Sequence, residues 1–201
     1  MNTKAIEDLQ QIKSIMERST KFLSLSGWSG IWVGICGLAA SAILYTWQSN
    51  TNAAQVLSYH AVNLILLALL TLGVALGGGL YFTIKKTRKQ GIPFLTNVTK
   101  RLLLRFLFPL VLGGILCIVF YSKSLLELTL PTTLLFYGLA LYSIQEDTVK
   151  EIKAIAFIEI VLGLLAFYFS KHSLVFWALG FGLTHLLYGL ILWNKYDKRA
   201  N

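Results

Sequence analysis

Two side chains that can carry a proton, Glu159 and His185, lie inside apolar runs, and a phenol, Tyr188, follows the histidine by one turn. His185 sits in GFGLTHLLYG (Gly180–Gly189), and Glu159 sits in IEIVLGLLAF (Ile158–Phe167). An unpaired ionised carboxylate is costly in such surroundings, so Glu159 is expected to be either partnered or protonated. A carboxyl, an imidazole and a phenol at one level can hold a ligand or relay protons. They can equally serve as hydrogen-bonding glue between two helices. Ala178, Gly182, His185 and Gly189 share one helix face, so the histidine projects from a small-residue packing face rather than towards lipid.

The elements that position these groups follow from composition. Of 201 residues, 56% are hydrophobic and only 13% charged, against about 25% charged in soluble domains. Crossing a bilayer core takes about 20 apolar residues. Six runs qualify or nearly so: 27–47, 59–84, 104–121, 125–144, 154–170 and 173–193. The fifth is short and carries Glu159, but the chain must return across the membrane between its neighbours. The predicted fold is therefore all-α, an integral membrane bundle of six transmembrane helices. Sixteen of the 18 lysines and arginines fall in the N-terminal segment, the second and fourth loops and the C-terminus, leaving only Lys123 and Lys171 on the other side. The positive-inside rule places both termini in the cytoplasm. The net charge of +9 is thus explained by loop placement, and no nucleic-acid partner is implied.

With that topology, His185 lies roughly 12 Å from the inner end of helix 6, and Tyr188 about 8 Å. Glu159 lies about 8 Å from the inner end of helix 5. The turn at Lys171–His172 is very short, so helices 5 and 6 must be antiparallel neighbours. The depth count brings Glu159, His185 and Tyr188 to one level, as a candidate ligand-binding or proton-relay cluster.

Residues 1–26 differ from the rest. Ile6, Leu9, Ile12 and Ile15 or Met16 recur at helical spacing between charged residues, which reads as a cytoplasmic amphipathic helix. It can lie on the inner leaflet or its own bundle, or pair with a partner protein. The division is therefore residues 1–26 and a six-helix domain over residues 27–201. Within that domain TLLFYGLALY (Thr133–Tyr142) and THLLYGLILW (Thr184–Trp193) match at six of ten positions, preceded by VLGGILC (Val111–Cys117) and VLGLLAF (Val161–Phe167). This fits a tandem repeat of a helical hairpin, helices 3–4 and 5–6.

Gly30, Gly34 and Gly37 form a stripe on helix 1, continued by Ser26, Gly27 and Ser41; Gly73 and Gly77 repeat the spacing in helix 2, and Gly182 and Gly189 in helix 6. Small residues let helix backbones approach closely in lipid, so the seven glycines Gly30, Gly34, Gly37, Gly73, Gly77, Gly182 and Gly189 are read as packing positions. Lys85, Lys86, Arg88 and Lys89 can attract anionic lipid head groups. The long second loop, 85–100, contains Gly91 and Pro93 and reads as mobile. Glu127, near the outer end of helix 4, is expected to pair with Lys123.

No cofactor or metal is expected. Cys36 and Cys117 read as small packing residues. Only His60 and His172 share a level, near the outer surface, so haem ligation is disfavoured. There is no HExxH, no GxSxG and no lysine deep in a span for a Schiff base.

MERSTKFLSLSGWSGI (Met16–Ile31), together with the Ile158–Phe167 and Gly180–Gly189 stretches, resembles a family of small six-span bacterial membrane proteins with no assigned activity. The resemblance implies the bacterial inner membrane and brings no ligand or catalytic residue. Three readings of function remain open. The first is a non-enzymatic ligand-binding or regulatory membrane protein. The second is a transport component, either a small carrier or the substrate-binding subunit of a larger transporter. The third is a membrane redox protein or enzyme.

Overall fold

A computed structural model describes residues 25–50, 56–91 and 94–198, without the side chains of residues 50 and 56–61. The amphipathic helix expected over residues 1–26 lies outside the described residues except at its last two positions, as does Pro93; the side chain of His60 is likewise outside. The described chain is helical throughout, with no strand. In chain order the helices are α1 (Gly27–Asn50), α2 (Val56–Lys89), α3 (Asn97–Ser122), α4 (Thr129–Ile144), α5 (Glu151–Tyr168) and α6 (Ser170–Asp197). α6 begins as a 3₁₀ turn and is π-helical over Ala178–Thr184 and Trp193–Asp197.

Four helices are long and apolar enough to cross a membrane: Gly27–Ser49, Val62–Lys89, Asn97–Ser122 and Ser170–Asp197. They mark the chain as a membrane protein. α4 has 16 residues and α5 has 18, which at 1.5 Å per residue gives only about 24 and 27 Å of α-helix. These two short helices form the centre of the bundle. Their buried positions are Pro131, Thr132, Leu134, Gly138, Ala140 and Leu141 on α4, and Ile152, Ile155, Ala156, Glu159, Gly163 and Ala166 on α5. α3 lines α4, α6 and then α1 close the other side, and α2 hangs on α1. The outer helices expose long apolar side chains, such as Leu70 and Phe108. This is the pattern of a chain whose solvent is lipid, where packing rather than water exclusion holds helices together.

The α1–α6 pair shows how that packing works. A methyl group added at Gly30 would sit 2.8 Å from Gly189 Cα, one at Gly34 2.8 Å from Gly182 O, and one at Gly37 2.5 Å from Phe181 O. On α6, Gly189 presses on the backbone of Ile31, and Gly182 meets Leu38. Five of the seven glycines therefore pack as expected. Gly73 and Gly77 do not: a methyl at either meets nothing within 4 Å. The contact on α2 is made at Gly78, where the Trp32 ring lies on the bare backbone and its Nε1 donates to Val74 O at 2.9 Å. The four-residue spacing was right for a helix face, but α2 turns another face to α1.

Three local expectations change. The second loop is mostly helix, because α2 runs to Lys89 and Gly91 then ends it at φ 68°, a left-handed turn that suits glycine. Lys123 and Glu127 do not pair: Ser124 at φ 58° and a 3₁₀ turn at Leu126–Leu128 break the helical register between them. Lys86 faces inwards, bonded to Leu25 O at 2.6 Å and paired with Asp197 at 2.7 Å, so it is not exposed towards lipid head groups.

Polar staples lock the end that carries the basic loops. Pro109 inside α3 has no N–H for the Arg105 carbonyl, and Ser143 of α4 fills the gap, with Oγ 3.0 Å from Arg105 O. Asp147 accepts from both Arg101, at 3.0 Å, and Arg105, at 2.7 Å. Asp197 at the end of α6 accepts from the Gly27 N–H at 2.9 Å, capping α1, and holds Lys86 of α2. Asp197→Ala is expected to cost about 2 kcal/mol, the upper range for losing a helix cap, because it also strips a half-buried lysine of its partner. The thermal midpoint in mild detergent reads this out, and an unchanged midpoint would mean that Lys86 finds another acceptor.

Candidate functional site

Burial alone singles out Glu159. It faces the interior because α5 is apolar all round and lies between α4 and α6. The side chain is fully buried, and among the described residues neither carboxyl oxygen has a hydrogen-bond partner. Its Oε1 lies 3.5 Å from His185 Nδ1. His185 is itself buried, and its two ring nitrogens are engaged. Nδ1 is 3.0 Å from Gly180 O, and Nε2 is 2.8 Å from the Tyr137 hydroxyl. The carbonyl can only accept, so Nδ1 carries the proton. In the neutral imidazole, Nε2 then accepts from the Tyr137 O–H.

α6 is adapted to this contact. A methyl group on Gly180 would lie 2.5 Å from Glu159 Oε2 and from Leu134 Cδ2. Glycine is thus required for the carboxyl to lie against the helix. The Gly180 carbonyl that receives His185 belongs to the π-helical stretch Ala178–Thr184. Such wide turns concentrate at functional positions of helices. The aromatic rings of Tyr137 and Phe181 flank the imidazole, with centroids 5.3 and 5.9 Å away. Trp177 extends the stack from Phe181 and donates to Thr133 Oγ1 at 3.2 Å.

The expected trio is thus brought together in part. Glu159 and His185 meet, as the depth count required. Tyr188 packs instead on the core of Leu141, Ile152 and Ile155, and its buried hydroxyl has no hydrogen bond among the described residues. The phenol that holds the histidine is Tyr137, which sequence reasoning missed. A signal for it existed: Tyr137 and Tyr188 hold the same place in the matched segments TLLFYGLALY and THLLYGLILW.

At the surface end of α5, Glu151 accepts from Lys195 and from the Tyr196 hydroxyl at 3.3 Å. Partial burial pushes its carboxyl up, but the bonds from Lys195, its own backbone amide and Tyr196 outweigh this and hold it below the ordinary range. Two open grooves lie nearby. One of about 480 Å³ is lined by Leu104, Arg105, Phe108, Pro109 and Ser143, the other of about 390 Å³ by Tyr142, Gln145, Glu146, Lys150 and Lys153. Neither reaches Glu159 or His185. Among the described residues no three His, Cys, Asp or Glu side chains gather as a metal site.

No family model, curated protein or solved structure matches the chain.

Proposed function

We propose that the chain is a six-span protein of the bacterial inner membrane, non-enzymatic and regulatory, switched at the Glu159–His185–Tyr137 cluster. The observation that carries this reading is the fully buried carboxyl whose oxygens bond to nothing, set 3.5 Å from an imidazole at a π-helical stretch of α6. An ionised carboxylate without hydrogen bonds costs several kcal/mol at such a depth, more than a helix contact returns. A group kept at that cost is kept for its change of state. Gain or loss of one proton at Glu159 alters what faces Gly180, and through it the register of α6.

The basic end, with its sixteen lysines and arginines, is the cytoplasmic one, so both termini are cytoplasmic. α4 and α5 complete the six spans, their short lengths extended by the flanking 3₁₀ turns. The hairpin repeat is supported by Gly138 and Gly189, at matched positions. Each presses on the backbone of a first hairpin helix, Gly138 on Ile160 of α5 and Gly189 on Ile31 of α1. Lys85, Arg88 and Lys89 remain as an anionic-lipid contact, and residues 1–26 as the arm for a partner protein.

Amide hydrogen exchange of the 178–192 stretch, compared between mildly acidic and mildly alkaline buffer, tests the switch. The wild type is expected to change protection, and Glu159→Gln to hold one level throughout. Equal pH sensitivity in both proteins ends the reading. A transport component is the second reading, favoured by the π-helical interruption of α6 beside a buried acid. Mass spectrometry of molecules that co-purify in mild detergent separates the two. A solute carried by the wild type and lost in Glu159→Gln would establish cargo or ligand rather than a proton alone.

A further inference from the structure

One groove at the basic end of the bundle is lined by polar groups that the protein leaves unused. Its volume is about 390 Å³, and Tyr142, Gln145, Glu146, Lys150 and Lys153 line it. Small-ligand sites occupy about 300–1,000 Å³. The last turn of α4, the 3₁₀ turn Gln145–Asp147 and the first turn of α5 supply these residues. Among the described residues, neither lysine side chain is paired with an acid, and Glu146 is paired with no cation. The neighbouring acids are engaged: Asp147 holds Arg101 and Arg105, and Glu151 holds Lys195. Gln145 adds a separate observation. Its carbonyl oxygen is buried and bonds nothing among the described residues. A buried acceptor without a donor costs free energy, so a donor entering beside it makes a hydrogen bond that the protein leaves unmade.

The surroundings of the groove point to the class of ligand. On α5 Lys153 is followed one turn later on the same face by exposed Phe157, then by Val161 and Leu164. On α4 exposed Leu139 lies one turn before Tyr142. Apolar side chains thus run from the groove along both helices, away from the basic end. A molecule with a polar head and hydrocarbon tails fits this layout. The two lysines attract a phosphate. A phosphate alone would leave Glu146 as a like charge beside it and Gln145 Oε1 without a donor. A primary ammonium on the same headgroup answers both, whereas a quaternary ammonium has no N–H and a glycerol headgroup has no positive charge.

We propose that this groove binds a phospholipid with a primary ammonium headgroup, its phosphate on Lys150 and Lys153 and its ammonium on Glu146 and Gln145 Oε1. The site is separate from the Glu159 cluster and stands without it. It also differs from the contact at Lys85, Arg88 and Lys89, where charge of one sign selects only for net negative lipid.

Native mass spectrometry of the full chain tests the site, with phosphatidylethanolamine, phosphatidylcholine and phosphatidylglycerol added in equal amounts in mild detergent. The wild type is expected to hold the ethanolamine lipid about tenfold better than either of the others, the equivalent of one charge-assisted hydrogen bond. Glu146→Gln is expected to erase the preference over the choline lipid. Lys150→Gln combined with Lys153→Gln is expected to weaken binding of all three. Lys171→Gln, beyond the far end of α5, is expected to change nothing. Glu146, Lys150 and Lys153 are exposed, so the thermal midpoint without added lipid should stay at the wild-type value. Equal binding of the ethanolamine and choline lipids by the wild type would overturn the proposal, as would an undiminished preference in Glu146→Gln. A preference for the glycerol lipid would also overturn it, since the groove would then act as a basic patch only. Free phosphoethanolamine that displaces the bound lipid at equal concentration would make the ligand a soluble phosphate ester and end the lipid assignment.

Discussion

Gly189→Leu is expected to leave no folded protein, while Gly73→Leu is expected to be neutral or stabilising by up to about 1 kcal/mol. Both glycines lie on transmembrane helices with small residues at helical spacing. They differ in what surrounds them. Gly189 presses on the backbone of Ile31 and lies 2.7 Å, counted from an added methyl, from Gly27 O. Backbone atoms cannot swing aside as a flexible side chain can. A leucine there forces α1 off α6, and α1 carries α2 with it. Overpacking of a tight site costs about 3 kcal/mol even where side chains can adjust; here the separation also opens the glycine seam down to Gly37. At Gly73 and Gly77 a methyl meets nothing, and leucine has the better helix propensity. Size-exclusion profiles in mild detergent distinguish the two outcomes. A monodisperse, wild-type-like Gly189→Leu would refute the α1–α6 seam. A collapsed Gly73→Leu would mean that this face of α2 packs against something beyond the described contacts.

That contrast also shows what a sequence can reveal. Glycine spacing identifies a helix face but carries no azimuth relative to other helices, so Gly30 and Gly73 looked alike. The apolar runs located all six helices, because hydrophobicity and length are local properties. The depth of a residue is local too, and this is why the sequence alone matches Glu159 to His185 across a two-residue turn. Tyr188 was misplaced for the opposite reason: depth was right, but its contact depends on which way the ring leans in a core shared by α4, α5 and α6. The π-helical widening of α6 turns the helix relative to an ideal register, and nothing in GFGLTHLLYG announces it. Tyr137 was legible only through the internal match, where it holds the same place as Tyr188, the phenol that the depth count put in the cluster. Asp197 was hidden because its partners, Gly27 and Lys86, are 170 and 111 positions away along the chain.

The buried cluster itself separates glue from function, because the two roles predict opposite energetics. His185→Phe keeps the ring stack with Tyr137 and Phe181 but leaves Glu159, the Tyr137 hydroxyl and the Gly180 carbonyl without their partner. The cost is expected to be about 3 kcal/mol, at the upper end for stranding a buried polar group and well above the roughly 0.6 kcal/mol of an average interhelical hydrogen bond in membranes. Glu159→Leu removes the unbonded carboxyl and should cost little. Combining the two removes both polar partners and fills the space with apolar atoms. Replacing buried polar pairs in this way is commonly neutral or stabilising, by up to a few kcal/mol. The double variant no longer strands Glu159 but still strands the Tyr137 hydroxyl and the Gly180 carbonyl, so it is expected to melt above His185→Phe and below the wild type while its 178–192 amides lose all sensitivity to pH. Thermal midpoints of the wild type, both single variants and the double variant close the cycle. If the double variant instead falls by the sum of the two single costs, Glu159 and His185 stabilise the bundle through separate contacts, and the cluster is helix glue. If the double variant recovers part of what His185→Phe lost, the carboxyl is a burden that the fold tolerates only beside the histidine, which is the behaviour of a group retained for its proton.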